Sequence, residues 1–150
     1  MNPWIYALIP LSTAFFAWLW WRSRVRAGAI RVLAESRGFH YLGKALPRSL
    51  QLTGSPFVSI TSVWNVIDGE PRGTRIVAFD CKLGEGKASW RRTVIAVKTN
   101  IGNIAASSFD PALRIEQMKD WVLIYHPKDF ALIARQLMPV TELGAYLETI

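Results

Sequence analysis

One cysteine and two histidines are the raw material for any nucleophilic chemistry in this chain. Cys81, with His40 or His126 as base and Asp80 or Asp110 as the orienting carboxylate, supplies the residue types of a thiol nucleophile. Their setting speaks against that use. Cys81 lies in the middle of a strand-like run, where a lone cysteine acts as a small core hydrophobe. His126 stands before Pro127 at a strand end, and His40 sits in a Phe-His-Tyr run. Without a Cys or His pair at ligand spacing there is no zinc site, and we expect neither metal nor cofactor. Gly84-Glu-Gly-Lys-Ala-Ser89 has the flavour of a phosphate-binding loop, which requires Gly-x4-Gly-Lys-Ser/Thr and then a helix. Here Cys81 stands where the first glycine belongs, Ala88 replaces the magnesium-binding hydroxyl, and strand-like sequence follows. A hairpin loop is the better reading. Asp68, Glu70, Asp80 and Glu85 fall mostly in turn-like sequence, where such residues belong in any case. Trp90-Arg-Arg92 combines cation and ring as single-strand binders do. Strand alternation would put Arg91 and Arg92 on opposite faces, so no nucleic-acid groove is expected, and a cross-strand salt bridge explains them better.

With no catalytic residue to build on, the elements themselves carry the reading. Trp4 to Trp21 holds no charge. As a helix it would extend about 27 Å, close to the roughly 30 Å of a bilayer core. Trp4 and Tyr6 lie at one end and Trp18, Trp20 and Trp21 at the other, where rings with polar tips settle at headgroup level. No Lys or Arg precedes the run, and it closes on bulky Trp-Leu-Trp-Trp, so a cleaved signal peptide fits poorly. No cysteine follows it to carry a lipid anchor.

Residues 22–50 carry seven basic side chains against Glu35, whereas residues 51–150 carry eleven basic and ten acidic. The excess charge therefore sits beside the apolar run. By the positive-inside rule the N-terminus lies outside and the remaining chain in the cytoplasm, at the cell inner membrane. A single cysteine, Cys81, precludes an intrachain disulfide and suits a reducing compartment. The pI near 10 would suggest nucleic acid, but with the charge placed here lipid headgroups are the nearer partner. Arg22, Arg24, Arg26 and Arg31 are the candidate membrane-surface residues. Ala7, Pro10, Ala14 and Ala17 share one helix stripe on which a second helix, from another copy or from a partner, could pack.

Beyond the run, residues 24–37 read as a helix with Val25, Ala29, Ile30, Leu33 and Ser36 near one face and Gly38 as its C-cap. Phe39–Leu42 reads as a short strand and 43–56 as a loop. Phe57–Ile67, Thr74–Lys82 and Trp90–Thr99 are strand-like, the first with Val58, Ile60, Trp64 and Val66 on one face. Leu113–Met118 and Trp121–Tyr125 flank a two-residue connection, Lys119-Asp120. Lys128–Met138 reads as a helix, and Thr141 as the cap of a final one. Trp64 and Trp121 are expected in the core. The sum is an α+β protein: a transmembrane anchor (1–22), a basic juxtamembrane helix (23–38) and a cytoplasmic domain (39–150) in which an antiparallel meander packs helices on one face.

Arg37-Gly-Phe, Val66-Ile-Asp-Gly69, Arg72-Gly73, Ile76-Val-Ala-Phe-Asp80, Thr93-Val-Ile-Ala-Val97 and Asp120-Trp-Val-Leu-Ile-Tyr125 occur in that order. The pattern resembles uncharacterised small bacterial membrane-anchored proteins with a C-terminal domain of unknown function. Its motifs are turn glycines and strand apolars, and the resemblance implies no activity and no catalytic residue. The expectation is a single-pass membrane-anchored module that binds a protein partner or the membrane surface, with a membrane-tethered enzyme as the alternative.

Overall fold

A computed structural model describes residues 4–54, 57–85, 89–104, 109–127 and 137–150, with side chains from Ile9 onward. The first element, α1, is one unbroken helix, Trp4–Ser36. No kink separates the uncharged run from the basic segment, so the parts expected as anchor and juxtamembrane helix are one rod. Pro10 lies inside it, where Ser12 and Thr13 both donate to the Ile9 carbonyl at 2.8 Å. Among the described residues no helix is long and apolar enough to cross a membrane. The rod ends where expected, with Gly38 at φ 72° as its left-handed cap.

Six strands follow: β1 (His40–Gly43), β2 (Ile60–Gly69), β3 (Ile76–Leu83), β4 (Trp90–Val97), β5 (Arg114–Met118) and β6 (Trp121–Tyr125). All pairs are antiparallel, and the order is β1-β2-β3-β4-β6-β5. The sheet is therefore a meander only through β4. The chain then passes over the position of β6, forms the edge strand β5, and turns back at Lys119-Asp120 so that β6 fills the gap. Apolar Trp121–Tyr125 is buried at every position, whereas β5 carries Arg114, Glu116 and Gln117 and suits an edge. The final helix, α2 (Val140–Thr149), begins from Pro139, not from a Thr141 cap. The helix expected over Lys128–Met138 lies outside the described residues as far as 136, and Leu137 and Met138 are not helical.

Both faces of the sheet are covered, so the central strands are apolar at nearly every position. One face holds Ile67, Ile76, Ala78, Ile95, Val97, Val122 and Ile124 under Ile30 and Ala34 of α1 and Leu143 and Leu147 of α2. The other holds Val66, Val77, Phe79, Cys81, Leu83, Val94, Ala96, Leu123 and Tyr125 under Leu50 and Phe57. Helices thus pack on one face, as expected. The segment read only as a loop lids the other, and Trp121 donates its indole N–H to the Ser49 carbonyl at 3.2 Å.

The alternation expected along Phe57–Ile67 is broken. Asn65 takes φ 52°, and one extra residue is inserted between the pairs Trp64–Asp80 and Ile67–Ala78. This bulge resets the facing of everything after it. Val58 falls in a 3₁₀ turn and is 78% exposed, while Phe57 and Val66 are buried. Trp121 is a core residue as expected, but Trp64 is only half-buried, with the Arg91 guanidinium 5.8 Å from its ring centre. The buried stripe of α1 runs through Ile30 and Ala34, whereas Val25 and Ala29 face outward.

Candidate functional site

Where α1 crosses β3 and β4, a charged cluster is buried. Asp80 follows Ile76 and Ala78 on the helix-covered face, and its side chain has no exposed surface. Arg26 lies four residues before Ile30 and eight before Ala34, so helical periodicity aims it at that face. Its Nε and Nη2 donate to the two Asp80 carboxylate oxygens, each at 2.8 Å, in a bidentate fork. Its Nη1 donates to the Met138 carbonyl at 2.8 Å.

Three further groups complete the cluster. The Thr93 hydroxyl donates to Asp80 Oδ1 at 2.6 Å and accepts from Arg26 Nη2 at 3.1 Å and the Met138 N–H at 3.0 Å. Asn65, turned by the bulge, donates from Nδ2 to Asp80 Oδ2 at 2.9 Å and accepts from the Tyr41 hydroxyl at 3.1 Å. Each Asp80 oxygen therefore accepts two hydrogen bonds. A carboxylate so engaged has no lone pair directed at a substrate and cannot serve as a general base without dismantling the cluster. The arrangement is a clamp. It ties α1, β1, β2, β3, β4 and the segment before α2 to one carboxylate.

The four candidate surface arginines separate accordingly. Arg26 is turned into the domain, its side chain 16% exposed, because it lies on the buried stripe. Arg22 and Arg24 remain on the surface, each folded back over a ring of the preceding turn: Trp18 at 5.4 Å and Trp20 at 4.7 Å. Arg31 lies over Tyr41 at 5.0 Å and so covers the outer member of the clamp. Of the candidate packing stripe, Pro10, Ala14 and Ala17 are exposed, and the side chain of Ala7 lies outside those described.

The residue types considered for nucleophilic chemistry are not brought together. Cys81 is buried on the opposite face of the sheet from Asp80. Burial pushes its thiol up to about 12, so it is not a thiolate at neutral pH. His126 pairs with Glu142 of α2 at 3.2 Å, Asp110 accepts the Ala112 N–H at 2.8 Å, and His40 is exposed. Among the described residues no group of three His, Cys, Asp or Glu side chains is placed to hold a metal ion. The phosphate-loop candidate leads into β4, not a helix, and its residues 86–88 lie outside those described.

Arg92, expected opposite Arg91, is indeed buried while Arg91 is exposed. It stacks over Tyr125 at 4.6 Å, and among the described residues it makes no salt bridge. Burial lowers its pKa, and burial together with the hydrogen bond to Glu116 raises that of Tyr125. The surface hollows lined by described residues include two beside α2. One, of about 440 Å³, runs between α1 and α2 past Leu33, Val140 and Gly144, with the Arg37–Glu148 ion pair among its polar members. The other, of about 310 Å³, is lined by Val97, Asn103, Phe109 and Ile150. Neither contains Cys81, Asp80 or a histidine.

The clamp was within reach of the sequence. Arg26 and Asp80 each occupy a position that its neighbours mark as apolar, and two opposite charges so placed suggest a pair. No family model matches the chain, and neither a curated protein nor a solved structure does.

Proposed function

We propose that this chain is a single-pass membrane-anchored module, without an activity of its own, that holds an α+β domain at the cytoplasmic surface of a bilayer. There it would engage the membrane surface or a protein partner. The observation that carries the proposal is the surface of α1 ahead of the clamp. Ile9, Leu11, Phe15, Phe16, Trp18, Leu19, Trp20 and Trp21 are all exposed on a helix that projects from the domain. Withdrawing side chains of this kind from water is worth about 1.5–3 kcal/mol each when complete. An apolar surface so continuous needs a nonaqueous partner.

The stretch from Ile9 to Trp21 alone would reach only about 20 Å, so spanning requires the uncharged residues from Trp4 as well. Lipid fits better than a protein groove because the exposed side chains surround the helix instead of forming one stripe. Arg22 and Arg24, folded over Trp18 and Trp20, combine charge and ring as headgroup-level anchors do. The excess of basic residues beyond Trp21 orients the N-terminus outward. The clamp adds that the domain is held directly on the anchor, at one height and angle.

The test is fractionation of cells making the full chain. It should remain in the membrane pellet through an alkaline carbonate wash, and Phe15→Arg with Phe16→Arg should release it while the domain stays folded. Wild-type protein in the wash supernatant would contradict the proposal.

A further inference from the structure

We propose that the end of the sheet at which β3 gives way to β4 rests on the anionic headgroups of the bilayer that α1 enters; this builds on the membrane reading of α1. The direction of the elements carries it. At one end of the domain Phe39, just past α1, packs against Gly69, and Gly69 pairs with Ile76 at the start of β3. At the other, Arg26 holds Asp80. Moving back along α1 therefore means moving forward along β3, and both lead toward the membrane.

From Arg26 to Trp21 the helix rises about 7.5 Å. From Asp80 to Leu83 the strand advances about 10 Å. An inclination of helix to strand shortens the second figure without changing its direction. The β3–β4 end thus comes level with Trp20 and Trp21, where headgroups lie around an inserted helix.

That end carries cations and an exposed apolar side chain, with Glu85 as the one described carboxylate just past β3. Val58, in the turn before β2, is 78% exposed. Lys82 and Arg91 face each other across β3 and β4, and Arg91 lies over the Trp64 ring. A protruding apolar side chain among cations and an indole is the pattern of an interfacial contact, and basic residues favour an anionic leaflet. The opposite end of the sheet, with Lys98 exposed, faces away.

The full chain is placed in nanodiscs of phosphatidylcholine and phosphatidylglycerol in equal parts. With Cys81→Ala as background, one fluorophore is attached at Phe16→Cys, Val58→Cys or Lys98→Cys, and nitroxide lipids serve as quenchers. A mid-chain nitroxide should quench the Phe16 site. A headgroup nitroxide should quench the Val58 site severalfold more than the Lys98 site. That difference should shrink in phosphatidylcholine alone and with Lys82→Glu and Arg91→Glu together. If the Phe16 site is quenched but Val58 is quenched no more than Lys98, the headgroup contact is refuted and α1 still enters the bilayer. If the difference is the same in phosphatidylcholine alone, the anionic assignment is refuted. An unquenched Phe16 site overturns the reading of α1, and the contact with it.

Discussion

Replacing Asp80 by Asn preserves the shape of the clamp and removes its charge. All four hydrogen bonds to this carboxylate are donated to it: two by Arg26, one by Thr93 and one by Asn65. An amide must place its NH₂ on one of the two oxygen positions. On the Oδ1 side it meets Arg26 Nη2 and the Thr93 hydroxyl, which already accepts two bonds. On the Oδ2 side it meets Arg26 Nε and Asn65 Nδ2. Either orientation loses two bonds and leaves a mostly buried guanidinium without its counterion. Removing one partner of a buried pair costs about 3–5 kcal/mol. For a chain of this size, each kcal/mol moves the midpoint by about 2–4 °C. The full chain in detergent should therefore lose on the order of 10 °C in Tm by near-UV circular dichroism. Arg26→Met should cost a similar amount, because it strands Asp80. The double variant should cost less than the sum, with a coupling of at least about 1.5 kcal/mol. Additive losses, or single variants within about 0.5 kcal/mol of wild type, would show that Arg26 and Asp80 do not act as a pair.

Other outcomes follow from the same packing. Gly69→Ala would place a Cβ 2.6 Å from the Phe39 ring and 2.9 Å from its Cγ, close to the root of a buried side chain. It should cost about 1–3 kcal/mol in urea denaturation. Trp121→Ala should cost about 3–5 kcal/mol and Trp64→Ala clearly less, since only Trp121 is fully buried. The Cys81 thiol, pushed up to about 12 by burial, should resist thiol reagents at pH 8 until the domain unfolds. Because its folded pKa lies above its unfolded one, its contribution to stability is complete below about pH 8.5 and declines as the unfolded thiol ionises above it. Urea midpoints should thus fall less steeply between pH 8.5 and pH 10.5 in Cys81→Ala. Ala14→Ile adds bulk to an exposed stripe position and should weaken self-association in a membrane two-hybrid assay or the co-purification of a partner; both signals unchanged would mean the stripe packs on nothing.

What could be read in the sequence was what depends on neighbours along the chain. β3, β4 and β6 stand out as runs of β-branched and apolar residues, and Gly38 marks the end of α1 by its position alone. The placement of β6 between β4 and β5 depends on which strand tolerates an edge, and pairing across the sheet leaves no local trace. Asn65 looks like any polar residue of a strand until the bulge is known; the bulge turns Val66 to the face opposite Trp64, whereas Val58 is exposed because it lies in a 3₁₀ turn ahead of the strand. In the basic segment, Arg22, Arg24 and Arg26 are alike in type and proximity to the apolar run. Only their phase relative to Ile30 and Ala34 separates the one that enters the domain from those that stay outside. A phase error of about one residue is enough to turn Val25 and Ala29 inward and to leave Arg26 among the surface cations. Cys81 and Asp80 are adjacent in sequence, and adjacent strand residues point to opposite faces.

The claim that α1 carries the domain on the cytoplasmic face of a membrane is tested most directly by paired reporters fused after Ile150. One fluoresces only in the cytoplasm, and the other is an enzyme active only outside it. The account predicts a bright fluorescent fusion in the membrane fraction and a silent enzyme fusion. An active enzyme fusion with a dark fluorescent one would reverse the topology, and a bright fusion in the soluble fraction would remove the anchor altogether.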